Sequence, residues 1–239
     1  IALVDFDTTA LDADPIERRL LLSQLRATLL QLPGVIDVAV SINGSAQAIV
    51  PTQLQTISSG GAVYVAKSTG IYRVNANDSN PLNGTSAFLA KNEISRFAVW
   101  GSGDQVALAT DSGVYRIRTS GLSIQTEKVS DHVNLAEVFF DAWGLIWLIP
   151  KDPTEPIEIV KSASESKFLK DSQTTTRLGY RISPEGTRLA QLVESESGGQ
   201  VTLRGVIRDS LGWPMMLTEG ARLRNVLGDA ISVSWQQTA

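Results

Sequence analysis

The chain has 239 residues, of which 43% are hydrophobic and 19% charged, and its formal net charge is −4. This is enough for one large domain with a small neighbour, and enough apolar material for a packed core. The acidic balance argues against a nucleic-acid partner. The lack of cysteine excludes disulfides, thiolate nucleophiles and Cys-ligated metal sites. No apolar run reaches the roughly 20 residues that span a bilayer.

The first fifty residues predict a strand, a helix and a second strand. Residues 2–6 are typical of a short strand, and Asp14 followed by Pro15 marks the start of a helix. The helix carries one apolar stripe, formed by Leu21, Leu22, Leu25, Leu29 and Leu32. Residues 35–42 then alternate as a strand and end at the turn pair Asn43-Gly44.

A β-α-β unit of this size, with a single helix, is too small to bury the leucine stripe by itself. We therefore expect the other half of its domain to precede Ile1, since a natural start would be methionine. Any targeting signal is expected in the same upstream sequence.

The rest of the chain repeats with a period of about 42 residues. The pattern [Ser/Thr]-Gly-[Ile/Val]-Tyr-Arg-[Val/Ile] occurs at residues 69–74 and again at 112–117. After the same step, the strand-like runs 157–160 and 201–204 fall in the same position. A glycine between two strand-like runs keeps this period as well, at Gly60, Gly103, Gly144 and Gly186.

Several short strands per repeat, with turn glycines at fixed offsets, indicate one four-stranded propeller blade per repeat. A single blade has two apolar faces, and only stacking against its neighbours buries both of them. The alternative is an ordinary β-sandwich whose strand spacing is coincidental.

We predict a mostly β chain made of two parts. Residues 1–50 form the C-terminal part of an α+β domain, and residues 51–239 form a partial β-propeller of about four to five blade units. The propeller is expected to be incomplete at its C-terminus, where residues 230–235 open another unit. Residues 162–176 are rich in Ser, Thr and Lys without periodicity, which predicts a long exposed loop.

The sequence offers little for catalysis. His132 is the only histidine, it lies in a polar stretch between predicted blades, and no Gly-x-Ser-x-Gly elbow accompanies it. Zinc sites built on histidine need several imidazoles. Paired carboxylates at Asp104 and Asp111, or at Glu194 and Glu196, are better explained as turn and strand-end residues. We therefore predict no catalytic, cofactor-binding or metal-binding residue, and no enzyme.

One turn segment is a candidate protein interface. Trp213 lies there beside Met215 and Met216, and Arg208 and Arg222 flank it. Exposed aromatic, methionine and arginine side chains together suit protein recognition. The alternative is a hairpin tip folded onto its own blade. The remaining tryptophans lie in or beside repeat strands, where core packing is expected: Trp100, Trp143, Trp147 and Trp235.

The order of these parts resembles a known family. Three stretches are similar to the C-terminal end of a GerMN domain: residues 23–29, Leu32-Pro33-Gly34-Val35 and residues 38–44. A GerMN domain followed by a propeller resembles the actinobacterial lipoproteins of the LpqB family. The resemblance covers most of the chain and brings no catalytic residues. It implies an exported protein, anchored by a lipid on the outer face of the cell membrane through a lipobox cysteine upstream of this sequence.

LpqB-like proteins are associated with the sensor kinase MtrB and modulate the MtrA–MtrB two-component pathway, which affects cell-wall homeostasis and division. The resemblance therefore implies a non-enzymatic accessory protein that binds the extracytoplasmic domain of a sensor kinase and needs no cofactor. Two alternatives stay open. One is a propeller that binds a cell-wall glycan or another small ligand in its central funnel, and the other is a hydrolase or lyase whose catalytic residues lie in further blades.

Overall fold

The structure, a computed structural model, describes residues 1–49, 62–74, 81–101, 103–120, 123–172, 175–195, 198–227 and 232–235. A small β-α-β unit is followed by a succession of antiparallel sheets, each formed by strands that are consecutive in sequence. Within these ranges, no helix has the length and apolar character to cross a membrane. The predicted boundary between the two parts of the chain, at residue 50, lies outside the described residues.

The front unit has the predicted order of elements. Strands β1 (Ala2–Phe6) and β2 (Val38–Ile42) pair in parallel and are joined by helix α1 (Pro15–Leu29). Strand β3 (Ser45–Ala46) pairs antiparallel with β2. The Asn43-Gly44 pair makes the turn between them with φ angles of 48° and 78°, the left-handed conformation for which this pair is favoured.

Helix α1 packs on one face of this small sheet. Leu22 is buried together with alternate residues of β2, which are Val38, Val40 and Ile42. Leu32, the last residue of the predicted stripe, lies beyond the end of α1 at Leu29 and is 52% exposed. Leu21, Leu25 and Leu29 are partly buried, so Leu22 is the one stripe residue that is fully covered in the described unit.

Four antiparallel sheets follow in the described ranges. The first contains β4 (Val63–Lys67) and β5 (Gly70–Val74), and a short helix, α2 (Thr85–Leu89), precedes the second sheet. The second sheet consists of β6 (Arg96–Trp100), β7 (Gln105–Thr110), β8 (Gly113–Ser120) and β9 (Ser123–Ser130). The third consists of β10 (Leu135–Phe140), β11 (Ile146–Pro150), β12 (Ile157–Ser162) and β13 (Glu165–Leu169).

The fourth sheet contains five strands that occupy four positions across the sheet. They are β14 (Arg177–Ile182), β15 (Arg188–Ser195), β16 (Gly198–Arg208), β17 (Pro214–Leu217) and β18 (Ala221–Leu227). β17 and β18 follow each other along the same edge of β16, because Val206 pairs with Leu217 and Leu203 pairs with Ala221. Together β17 and β18 occupy the position of a single outer strand, which is interrupted at residues 218–220.

The periodic glycines occupy equivalent turns. Each lies between the first and second strand of its sheet, with φ angles of 112°, 72° and 75° for Gly103, Gly144 and Gly186. The fourth glycine of the predicted series, Gly60, lies outside the described residues. One sheet per repeat of about 42 residues is therefore observed for the second, third and fourth sheets.

Two of these turn glycines touch a tryptophan of the preceding sheet. A Cβ at Gly144 would lie 3.4 Å from the indole of Trp100. One repeat later, a Cβ at Gly186 would overlap the ring of Trp143. Glycine is required at Gly186 for two reasons, the positive φ angle and the close approach of the indole.

The sheets are arranged like blades around an axis. β10 contacts both β6 and β14, so the first strands of three sheets lie side by side. β11 is buried along its whole length. Its residues Ile146 and Leu148 pack in one cluster with the second sheet, and Trp147 and Ile149 pack in another with the fourth. Each face of the third sheet therefore has a different neighbour, as a propeller requires.

Two predictions about strands are wrong. Residues 162–176, predicted as a long loop, contain β13, the outer strand of the third sheet. Only Leu169 of this strand is buried, so it lacks the apolar alternation by which strands are recognised. Ser232–Trp235, the described part of the predicted opening strand, is irregular. It nevertheless lies beside β14, where the Trp235 indole N–H donates to the Arg181 carbonyl at 3.0 Å.

Gly186→Ala is expected to lower the free energy of unfolding by about 3 kcal/mol, because alanine must adopt a positive φ and displace the Trp143 ring. The matched control is Gly101→Ala. Its φ is 61°, but the added Cβ meets only the Asp104 carboxylate, at 3.4 Å. We expect a loss of about 1 kcal/mol there. Chemical denaturation measures both values, and equal losses would contradict the proposed contact.

Candidate functional site

The structure separates the residues of the predicted interface patch. Trp213 is 3% exposed and the Arg208 side chain 2% exposed, so both lie in the interior. Met215 and Met216 are 57% and 53% exposed, and Arg222 is exposed as well. The prediction of an exposed patch is therefore wrong for Trp213 and Arg208, which do not reach the surface.

Trp213 is buried because its hairpin tip folds inward against the third sheet. The Asp209 carboxylate accepts the backbone N–H of Trp213 at 2.8 Å and closes the tip of the hairpin. Lys161 and Lys167 of the third sheet place their ammonium groups 5.9 Å and 4.9 Å from the centre of the indole ring. The alternative interpretation of this segment, a folded-back tip, is the correct one, and the tip packs on the neighbouring blade as well as its own.

Asp141 and Arg208 form a buried ion pair between the third and fourth sheets. Their charged groups are 2.9 Å apart and are 0% and 2% exposed. The Trp147 indole donates to the same carboxylate oxygen at 3.0 Å. The other carboxylate oxygen accepts the backbone N–H groups of Trp143 and Leu145, which closes the turn between β10 and β11. All of the carboxylate is used for structure.

The Arg208 guanidinium lies in the junction between the third and fourth sheets. It donates to the carbonyls of Gly186 and Gly212 at 3.1 Å and 2.7 Å, and it lies 3.9 Å from the centre of the Trp143 ring. Burial lowers the pKa of Arg208, and the charge of Asp141 opposes this shift. The ring, the glycine turn and the ion pair form one junction.

A second buried network joins the same two sheets. Asp171, in the connection between them, pairs with Arg204 at 2.8 Å and lies 3.6 Å from Arg177. The Tyr180 hydroxyl donates to Asp171 at 2.8 Å, and burial raises the pKa of this phenol. Arg177 donates to four backbone carbonyls in the loop 150–155 of the third sheet. This network also holds blades together.

The residues considered for catalysis are not assembled into a site. His132 lies between β9 and β10, 3.5 Å from Glu158 and 3.8 Å from Glu155. Asp104 and Asp111 lie in the turns at opposite ends of β7. Glu194 is on β15, and Glu196 lies outside the described residues. Over the described part of the chain, no cluster of His, Asp and Glu side chains has an arrangement that could hold a metal ion.

The first strands of the sheets surround a cavity of about 460 Å³, which we call the axial cavity. Its walls are the ends of β6, β10 and β14, together with Ala62 and the segment containing Trp235. Aromatic side chains contribute most of its large groups: Phe97, Trp100, Phe139, Phe140 and Trp235. Arg181 is the cationic group in the wall, and Glu137 pairs with it at 2.9 Å.

The sequence does not group these cavity residues, because they come from different repeats. One signal was available. Trp100 and Phe140 stand at the ends of the first strands of successive sheets, about one repeat apart, so a periodic alignment places them at one level of the axis.

Comparison with protein families identifies the propeller. The family described as the lipoprotein LpqB beta-propeller domain matches residues 69–239. This chain belongs to the LpqB β-propeller family. The resemblance inferred from the sequence is therefore confirmed for the propeller part. The GerMN part of that resemblance, and the actinobacterial origin, stay predictions.

None of the curated proteins matches this LpqB-family chain. Among solved structures, hydrazine synthase from Kuenenia stuttgartiensis is 13% identical, with a TM-score of 0.46, over 75% of this chain and 52% of that one. Apo AztD from Citrobacter koseri is 14% identical, with a TM-score of 0.39, over 69% and 47%. Hsv2p from Kluyveromyces lactis is 15% identical, with a TM-score of 0.41, over 63% and 48%. The LpqB-family chain spans about half the length of these structures.

Asp141→Asn is expected to destabilise the LpqB-family propeller by about 3–5 kcal/mol, because Arg208 keeps a buried charge without its partner. The matched control is Asp131→Asn, which weakens an exposed pair with Lys128 at 2.5 Å, away from this junction. We expect no measurable change in stability there, because an exposed ion pair contributes little. Denaturant unfolding compares the two variants. An Asp141→Asn variant as stable as the control would show that the ion pair does not hold the blade junction.

Proposed function

We propose that this chain belongs to a non-enzymatic lipoprotein, lipid-anchored on the outer face of the cell membrane, that serves as an accessory protein of a sensor kinase of the MtrA–MtrB type. Its partner in this proposal is the extracytoplasmic domain of the kinase, and its action affects cell-wall homeostasis and division. The observation that carries the proposal is the match of residues 69–239 to the LpqB propeller family.

The junction between the third and fourth sheets supports a binding role. Two buried networks, centred on Asp141 and Asp171, fix the position of one sheet against the other. A surface that is ordered before it meets a partner loses less conformational freedom on association. The outer strands of these sheets therefore offer a rigid platform.

One part of this platform favours a protein partner. Ile207, Leu211, Met215 and Met216 are 44%, 81%, 57% and 53% exposed, and all four belong to the β16–β17 hairpin. We call these four residues the outer-hairpin patch. Ile207 pairs with Met216 across the two strands, so these two side chains lie on one face, whereas Met215, the neighbour of Met216 in β17, points to the other face. Methionine adapts its shape to a partner, and an exposed apolar patch marks interaction surfaces.

Met216→Asp is expected to weaken binding of the kinase extracytoplasmic domain at least about tenfold, because a carboxylate replaces an apolar contact on the face that Met216 shares with Ile207. Calorimetry with the full-length protein, soluble without its anchor, measures this affinity. The matched control is Ile124→Asp on β9 of the second sheet, which is 50% exposed in the wild type. Binding by the control is expected to equal that of the wild type.

Two results would count against the proposal. A wild-type protein that does not bind the kinase domain removes the kinase as partner. Equal losses in Met216→Asp and Ile124→Asp remove the outer-hairpin patch as the contact surface. Thermal unfolding of both variants, measured alongside, shows that each is folded when binding is tested.

A further inference from the structure

The axial cavity concentrates aromatic side chains from separate blades. Trp100 is at the end of β6, Phe140 is at the end of β10, and Trp235 lies beside β14. A volume of about 460 Å³ falls within the range of small-molecule sites in proteins. Such sites combine apolar walls with a few polar groups that orient the ligand. The lining has this composition.

The charges in the wall are already compensated. The Arg181 guanidinium lies 2.9 Å from Glu137, and it also donates to the Tyr180 carbonyl at 2.9 Å. The Asp141 carboxylate is occupied by Arg208 and by the turn N–H groups. An anionic ligand would have to displace Glu137 from Arg181. The described wall therefore favours a ligand without net charge.

The two indoles are held in different ways. Trp235 has its N–H bonded to the Arg181 carbonyl, and the Arg188 guanidinium lies 5.0 Å from the centre of its ring. Trp100 packs against Gly144, and its indole N–H is buried without a hydrogen-bond partner in the described part of the chain.

The strand edges supply further polar groups. β6, β10 and β14 each pair with one named strand only, β7, β11 and β15, in the described part of the chain. Part of their other edges is already used, since Trp235 donates to the Arg181 carbonyl of β14 and Arg96 donates to the Ala136 carbonyl of β10. The remaining groups of these edges pair with no other named strand. Such an edge carries backbone N–H and C=O groups. A ligand that fits this wall needs an apolar face for the rings and hydroxyl groups for the edges. An apolar peptide side chain would leave the edge groups unpaired.

We infer that the axial cavity is a binding site for a neutral saccharide. A pyranose ring presents C–H groups on its face, which pack on an indole or phenyl ring, and hydroxyl groups around its rim. The rim hydroxyls bond to the backbone groups that remain unpaired on the edges of the first strands. The site goes beyond the proposed kinase contact, since it lies at the axis and the outer-hairpin patch lies at the rim.

The test is a titration of the full-length protein with two neutral disaccharides, N,N′-diacetylchitobiose and cellobiose. Tryptophan fluorescence is expected to change saturably with at least one of them, and calorimetry is expected to give the same affinity. Trp235→Leu is expected to weaken binding at least about tenfold, since stacking on this ring is lost. Trp100→Leu removes a second aromatic ring from the wall, so a loss of several-fold is expected.

Met216→Asp, which lies outside the cavity, is the matched control and should bind sugar as the wild type does. The inference is overturned if neither disaccharide gives a saturable signal at millimolar concentration. It is also overturned if folded Trp235→Leu and Phe140→Leu variants bind like the wild type. Sugar binding lost in Trp235→Leu, with kinase-domain binding retained, supports the saccharide site. If the protein binds the sugar but not the kinase domain, the proposed kinase partner is wrong and the saccharide site stands.

Discussion

The third sheet has two apolar faces, and each is covered by a different neighbouring sheet. Along β11, Ile146 and Leu148 pack towards one sheet while Trp147 and Ile149 pack towards the other. Most of the architecture follows from this need, because neither face can be buried within the blade itself. It sets the radial order of the sheets, brings their first strands together and leaves the outer strands at the rim.

The polar junctions between blades have a different role from the apolar layers. Asp141, Arg208, Asp171 and Arg177 are each almost completely removed from water. A buried ion pair adds little stability over an apolar pair of the same shape, but it strongly penalises an arrangement in which one partner is missing. Apolar packing therefore drives the blades together, and these pairs select one alignment between the third and fourth. The tryptophan-on-glycine contact at Gly186 belongs to the same junction.

Signals that are local in sequence predicted the blades well. The periodic glycines and the Gly-[Ile/Val]-Tyr-Arg motif mark turns and strand starts, and both depend only on neighbouring residues. What depended on distant residues was not predicted. Trp213 is buried in the apolar cluster between the third and fourth sheets, against strands of the third sheet that lie about fifty residues earlier in the chain. β13 was missed because an outer strand needs no apolar alternation. The cavity lining likewise comes from the first strands of separate sheets, which meet only when the sheets pack side by side.

The interrupted outer strand of the fourth sheet has a consequence for association between copies. β17 and β18 each expose only a short length of backbone, and residues 218–220 break the row of N–H and C=O groups between them. Added strands need a long, flat and regular edge to extend a sheet from one molecule to the next. The interruption removes that template, so this edge of the fourth sheet is protected from fibre growth at the cost of a few ladder bonds.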